Sequence, residues 1–167
     1  MNEFQKLLMY LNIQMHNFGV LHRHLSGDAG WFENHEELEE WRDCAAKQLD
    51  ELCEEAQALG FPEPGLKDAL LAFGGEEITP EPRDLRETLS LAQGMMRGIA
   101  GMLRAAEQGV PPSVQGRLQE MEYKWEKLAG YKLARVLGEA QKGPGHDRRQ
   151  APAPRQAPPP PAEYDDD

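Results

Sequence analysis

Apolar residues recur at three- and four-residue spacing through most of this 167-residue chain, and four long stretches follow that spacing. That period is the helical one, so the chain is confined to helix-on-helix packing. The first such stretch, residues 4–25, carries Phe4, Leu7, Leu8, Leu11, Met15, Phe18 and Leu21 on one face. Ser26, Gly27, Asp28, Ala29 and Gly30 interrupt it, because small turn-forming residues favour backbone conformations other than helix. A second helix is expected from residue 31 or 32 to 59, stopped by Gly60, Pro62 and Pro64. Proline and glycine are then too dense up to Pro82 for anything but a long crossover with one short helix, 66–73. A third long helix is expected over 82–108, with Pro82 as a first-turn residue. Its face is Leu85, Leu89, Ala92, Met96, Ile99 and Leu103. Gly94, Gly98 and Gly101 each weaken that helix by roughly 1 kcal/mol relative to Ala, tolerable where they allow close packing. The fourth, 111–140, opens on Pro111 and Pro112 and repeats Val114, Leu118, Met121, Trp125, Leu128, Leu133 and Leu137.

Four long amphipathic helices with a long middle connection describe an all-α four-helix bundle, up-and-down or of the ferritin-like crossover type. Residues 1–140 form the expected domain. Residues 141–167 change to Pro, Ala, Arg and Gln and end in Tyr164 and three aspartates, a composition unable to bury enough apolar surface to offset ordering. A disordered tail is expected there, as a solubilising linker rather than a docking segment.

Charge limits the partners. Eighteen Lys and Arg against 29 Asp and Glu give a net charge of −11, the wrong sign for a broad nucleic-acid surface. DNA binding is therefore doubtful. No window is apolar for long enough to cross a membrane. Cys44 and Cys53 lie on opposite faces of one helix and cannot bridge each other there, and with the N-terminal segment this points to a cytoplasmic, reducing setting.

The second helix carries the chemistry. His35 and Glu39 are four residues apart, as are Asp50 and Glu54, and the four fall within about 100° of arc on one stripe. Each pair can grip one cation, and imidazole with carboxylate suits iron or zinc better than calcium. The pairs are separated by about 16 Å of helix rise, so no single ion touches both within one chain. A second copy running antiparallel across a two-fold axis brings one chain's Asp50 and Glu54 opposite the other's His35 and Glu39, creating two equivalent sites. His24, at the end of the first helix, stands where a further nitrogen ligand is needed. Asp or Glu pairs at this spacing are usually just a solvated helix face, so the joint pattern carries the weight.

The run from His35-Glu36-Glu37-Leu38-Glu39-Glu40-Trp41 through Asp50-Glu51-Leu52-Cys53-Glu54 to Ala58-Leu59-Gly60 resembles the ferroxidase signature of the Dps (DNA protection during starvation) branch of the ferritin-like proteins. The resemblance extends over about residues 5–138. It implies that His24, His35 and Glu39 of one subunit and Asp50 and Glu54 of its mate bind iron. It also implies a homododecameric shell that oxidises ferrous iron with peroxide or oxygen and stores the ferric mineral. Leu25 stands where the family usually has Trp, Glu39 where Asp is common, and an ungapped alignment puts Arg23 at the ligand position. His16 and His22 are expected at the surface or an interface, and Trp31, Trp41 and Trp125 in packing; Glu36 and Glu40 correspond to family positions facing the cavity, and an ordinary charged face explains them nearly as well. No histidine has Glu three residues before it, which argues against the Glu-x-x-His di-iron branch. The competing reading is a non-catalytic helical scaffold or partner-binding bundle whose acidic stripe is merely solvated.

Overall fold

The structure, a computed structural model, describes residues 2–27, 31–73 and 75–138, at residues 31 and 32 the backbone alone. The expectations for the 141–167 tail and for the Trp31 side chain lie outside the described residues.

Helix α1 (Glu3–His24) begins where Asn2 and Gln5 cap each other: Asn2 Oδ1 accepts from Gln5 N at 2.8 Å and Asn2 N donates to Gln5 Oε1 at 3.2 Å. Helix α2 (Trp31–Ala58) is one unbroken rod of 28 residues. A short α3 (Leu66–Ala72) interrupts the crossover, and α4 (Leu85–Ala106) follows. Pro82 is not in its first turn, contrary to expectation. Asp84 caps the helix by accepting from Glu87 N at 2.8 Å, and the Arg83 backbone is engaged elsewhere, donating to His24 O at 3.0 Å and accepting from Ser26 N at 2.8 Å. After a tight turn at Glu107–Gly109, α5 (Pro112–Lys127) starts with Pro112 in its first turn.

The fourth helix is not uniform, as its apolar repeat had suggested. It widens into a π-helical turn over Leu128–Leu133 and ends after Ala134–Val136, with Gly138 at φ 72. The π-turn shifts the carbonyl register, and the buried Gln93 side chain donates to Ala129 O at 2.9 Å.

Two contacts fix the connectivity. Phe61, just past α2, packs on Phe4 at the start of α1 with ring centroids 6.4 Å apart, so α1 and α2 are antiparallel. The pairing of residues 24–26 with Arg83 places the start of α4 beside the end of α1. The crossover thus travels the length of the bundle and α4 runs parallel to α2, the ferritin-like arrangement. The core threads through all four long helices. Phe18 stacks on Trp125 at 5.8 Å and meets Trp41 edge-on at 6.3 Å. Trp125 Nε1 donates to Gln48 Oε1 at 2.6 Å, so a buried polar pair ties α5 to α2. Among the described residues, Gly98 alone of the three α4 glycines serves close approach: a Cβ there would collide with Tyr10 Oη, whereas no described atom lies within 4 Å at Gly94 or Gly101. Among the described residues no helix is long and apolar enough to cross a membrane.

Candidate metal centre on the outer face of α2

Helix α2 buries Leu38, Trp41, Ala45, Gln48, Leu52 and Ala56, which recur at helical spacing and fix which side of the rod meets the bundle. The stripe of His35, Glu39, Asp50 and Glu54 is centred about 145° around the helix from that buried face. It therefore points out of the bundle. His35 is half-buried, and Glu39, Asp50 and Glu54 are exposed.

At the N-terminal end of the stripe the His35 ring meets an imidazole from α1, and the residue supplying it is His22, with ring centroids 3.7 Å apart. His24 is half-buried in the last turn of α1, two residues on and so about 200° around that helix. The expectation for His22 was a surface or interface position. Both of its ring nitrogens are buried and, among the described residues, have no hydrogen-bond partner. Burial pushes the His22 pKa down, and the neighbouring His35 pushes the same way while Glu39 opposes them. That downward shift favours the neutral ring, the form in which imidazole binds a metal. His16 sits apart, 3.6 Å from Glu77.

Glu39 accepts a hydrogen bond at 3.2 Å from Arg42 Nη2. Arg42 also donates through Nε and Nη2 to Asp43 Oδ1, at 3.0 and 2.8 Å.

At the other end Asp50 and Glu54 line a shallow hollow of about 220 Å³ with Ala46, Leu49, Cys53, Gln57 and Glu63. Glu63 comes from the crossover and was not anticipated; only the path of the chain after Gly60 brings it here. Cys53 is buried between the two acids, and that burial, with Glu63 and Asp50 nearby, pushes its thiol pKa up to about 11. Cys44, half-buried, faces instead a groove between α2 and α5, and both cysteines are free.

The structure thus brings His22 to His35 and leaves Asp50 and Glu54 at the far end of the same rod. Among the described residues no three His, Cys, Asp or Glu side chains of one chain are grouped to hold a metal ion. Glu36 and Glu40 are exposed, while Glu37 is tied to Lys132 at 2.6 Å.

No protein-family model matches the sequence, and no curated protein matches it. Solved structures do match in fold. Antigen TpF1 from Treponema pallidum superposes with a TM-score of 0.75 at 17% identity, over 83% of this chain and 90% of that one. Dps from Staphylococcus aureus gives 0.69 at 17% identity over 81% and 92%. A Dps protein from Bacillus brevis gives 0.62 at 23% identity over 82% and 99%. These comparisons establish the Dps-like, ferritin-like fold of the bundle.

Proposed function

From that fold and the geometry of α2, we propose that the protein is a ferroxidase and iron-storage protein that binds its substrate, ferrous iron, between two copies of the chain. The observation that carries this reading is the divided stripe: an imidazole pair with one carboxylate at one end of an outward face, and two carboxylates about 16 Å further along it. Antiparallel apposition of two α2 helices across a two-fold axis makes the ends complementary. His22, His35 and Glu39 then face the partner subunit's Asp50 and the partner subunit's Glu54, and every pair of chains holds two such sites. His22, rather than His24, is the nitrogen donor from α1 in this reading, because its ring lies against His35 and its nitrogens have no bond among the described residues.

The chemistry follows from the donor set. Neutral imidazoles and carboxylates suit ferrous iron, and the carboxylates' negative charge favours the ferric state. Two ferrous ions give up one electron each; one peroxide takes both electrons and two protons and leaves as two waters. Self-association into a closed shell gives the ferric product an interior to collect in. Large apolar side chains left at the surface support such association: Leu71 on α3 is 77% exposed and Tyr123 on α5 is 68% exposed.

The test is anaerobic loading with ferrous iron, addition of peroxide, and ferric absorbance in wild type, His35→Ala and Glu54→Ala. Loss of the fast phase in both variants is expected. Equal rates in all three, or a protein that stays monomeric at micromolar concentration, defeat the proposal.

A further inference from the structure

The first half of the site contains a cation of its own. Arg42 leaves α2 about one turn after Glu39 and two after His35, and its stem lies against α1 at Gly19, where a Cβ would sit 3.6 Å from Arg42 Cδ. Arg23, from α1, closes over the same glycine, with Nη1 3.1 Å from that position. Gly19 is buried, and its lack of a side chain gives both arginines their bed. Two nitrogens of the Arg42 guanidinium converge on Asp43 Oδ1, and Nη2 reaches on to Glu39 Oε1 at 3.2 Å. The group is therefore anchored at its stem by packing and at its head by Asp43, with Glu39 as the second carboxylate it holds.

Resting on the proposed iron site, we propose that Arg42 is the centre's built-in counter-cation: it occupies Glu39 while metal is absent and sets how tightly a divalent cation is held. A metal drawn to His22, His35 and Glu39 has to share or take the Glu39 oxygen from a guanidinium. Because Asp43 keeps the guanidinium in place, its charge stays beside the metal after the exchange and opposes it. Weak holding has a use in this chemistry, since an ion gripped too firmly by its oxidation site does not move on to a store. The arrangement also keeps the half-site from carrying an uncompensated carboxylate when empty. Arg42 touches no substrate in this account; it is a positioning residue acting through Glu39.

A structural role and a counter-charge role predict opposite signs. Damage to packing weakens metal binding, whereas removal of a competing cation strengthens it. The experiment titrates the assembled, metal-free protein with Co2+ and follows the visible ligand-field bands in wild type, Arg42→Met, Arg42→Lys and His35→Ala. Methionine keeps an unbranched stem over Gly19 and removes the charge. Arg42→Met is expected to bind Co2+ about tenfold more tightly than wild type, a shift of about 1.4 kcal/mol. Arg42→Lys, which keeps the charge, should stay weaker than Arg42→Met. An Arg42→Met affinity no tighter than wild type, with or without a lower thermal midpoint, overturns the proposal, as does an Arg42→Lys affinity equal to that of Arg42→Met. Cobalt bands that are identical in wild type and His35→Ala are a separate failure: they remove the iron site itself, and this inference with it.

Discussion

If each site is shared between two chains, two inactive variants should restore each other. In a pure His35→Ala assembly every site has a broken nitrogen half, and in a pure Glu54→Ala assembly every site has a broken acidic half. When equal amounts are unfolded together and refolded, half of the two-fold pairs are mixed. Each mixed pair has one site with both halves broken and one with both intact, so about a quarter of all sites recover. The figure depends on the length of one helix: eleven residues from Glu39 to Asp50 make about 16 Å of rise, more than two carboxylate arms can close around one ion. Activity is read as the initial ferroxidation rate per chain, and site number as Co2+ equivalents, against the two parents and wild type. A mixture no more active than the mean of its parents would show that the halves do not combine between chains. Recovery in one parent alone would place the chemistry within a single chain.

Burial lowers the pKa of His22, so as pH falls the unfolded chain takes up the proton first; the stabilisation is complete above the ordinary histidine value of about 6.5 and is lost below it, toward the lowered native value. Metal-free wild type should accordingly lose more thermal midpoint between pH 7.5 and 5.5 than His22→Asn, and parallel losses would contradict this. Gly98→Ala pushes a methyl group into Tyr10, so overpacking should outweigh the helix-propensity gain and destabilise by about 1–2 kcal/mol in urea unfolding. Gly101→Ala meets nothing and should stabilise by up to about 1 kcal/mol in the same assay. Trp125→Phe leaves the buried Gln48 oxygen without its donor and should cost about 1–3 kcal/mol in chemical denaturation. With its thiol pushed up to about 11, Cys53 should alkylate far more slowly than Cys44 at pH 8, read by mass spectrometry after iodoacetamide.

The elements legible from the sequence are those whose causes are local. Gly60 ends α2 with φ 77, and Pro112 opens α5, as each residue's own backbone preference dictates. The start of α4 departs from the local expectation because Pro82 is a good first-turn residue in isolation, while Arg83 is committed to pairing with residues 24–26, a partner distant in sequence. The π-turn in the fourth helix is not written in the apolar repeat, since the residue that bonds to its Ala129 carbonyl, Gln93, comes from another helix.

The candidate site divides along the same line. Spacing alone put His35, Glu39, Asp50 and Glu54 on one stripe and made it too long to close within a chain, because positions along a helix follow from a fixed rise and turn. Which imidazole of α1 meets His35 depends on how α1 is rotated against α2, a quantity that side-chain packing sets. His22 rather than His24, Glu63 beside Cys53, and Arg42 laid across Gly19 are all contacts between elements, decided when the core of Phe18, Trp41 and Trp125 locked the helices in register.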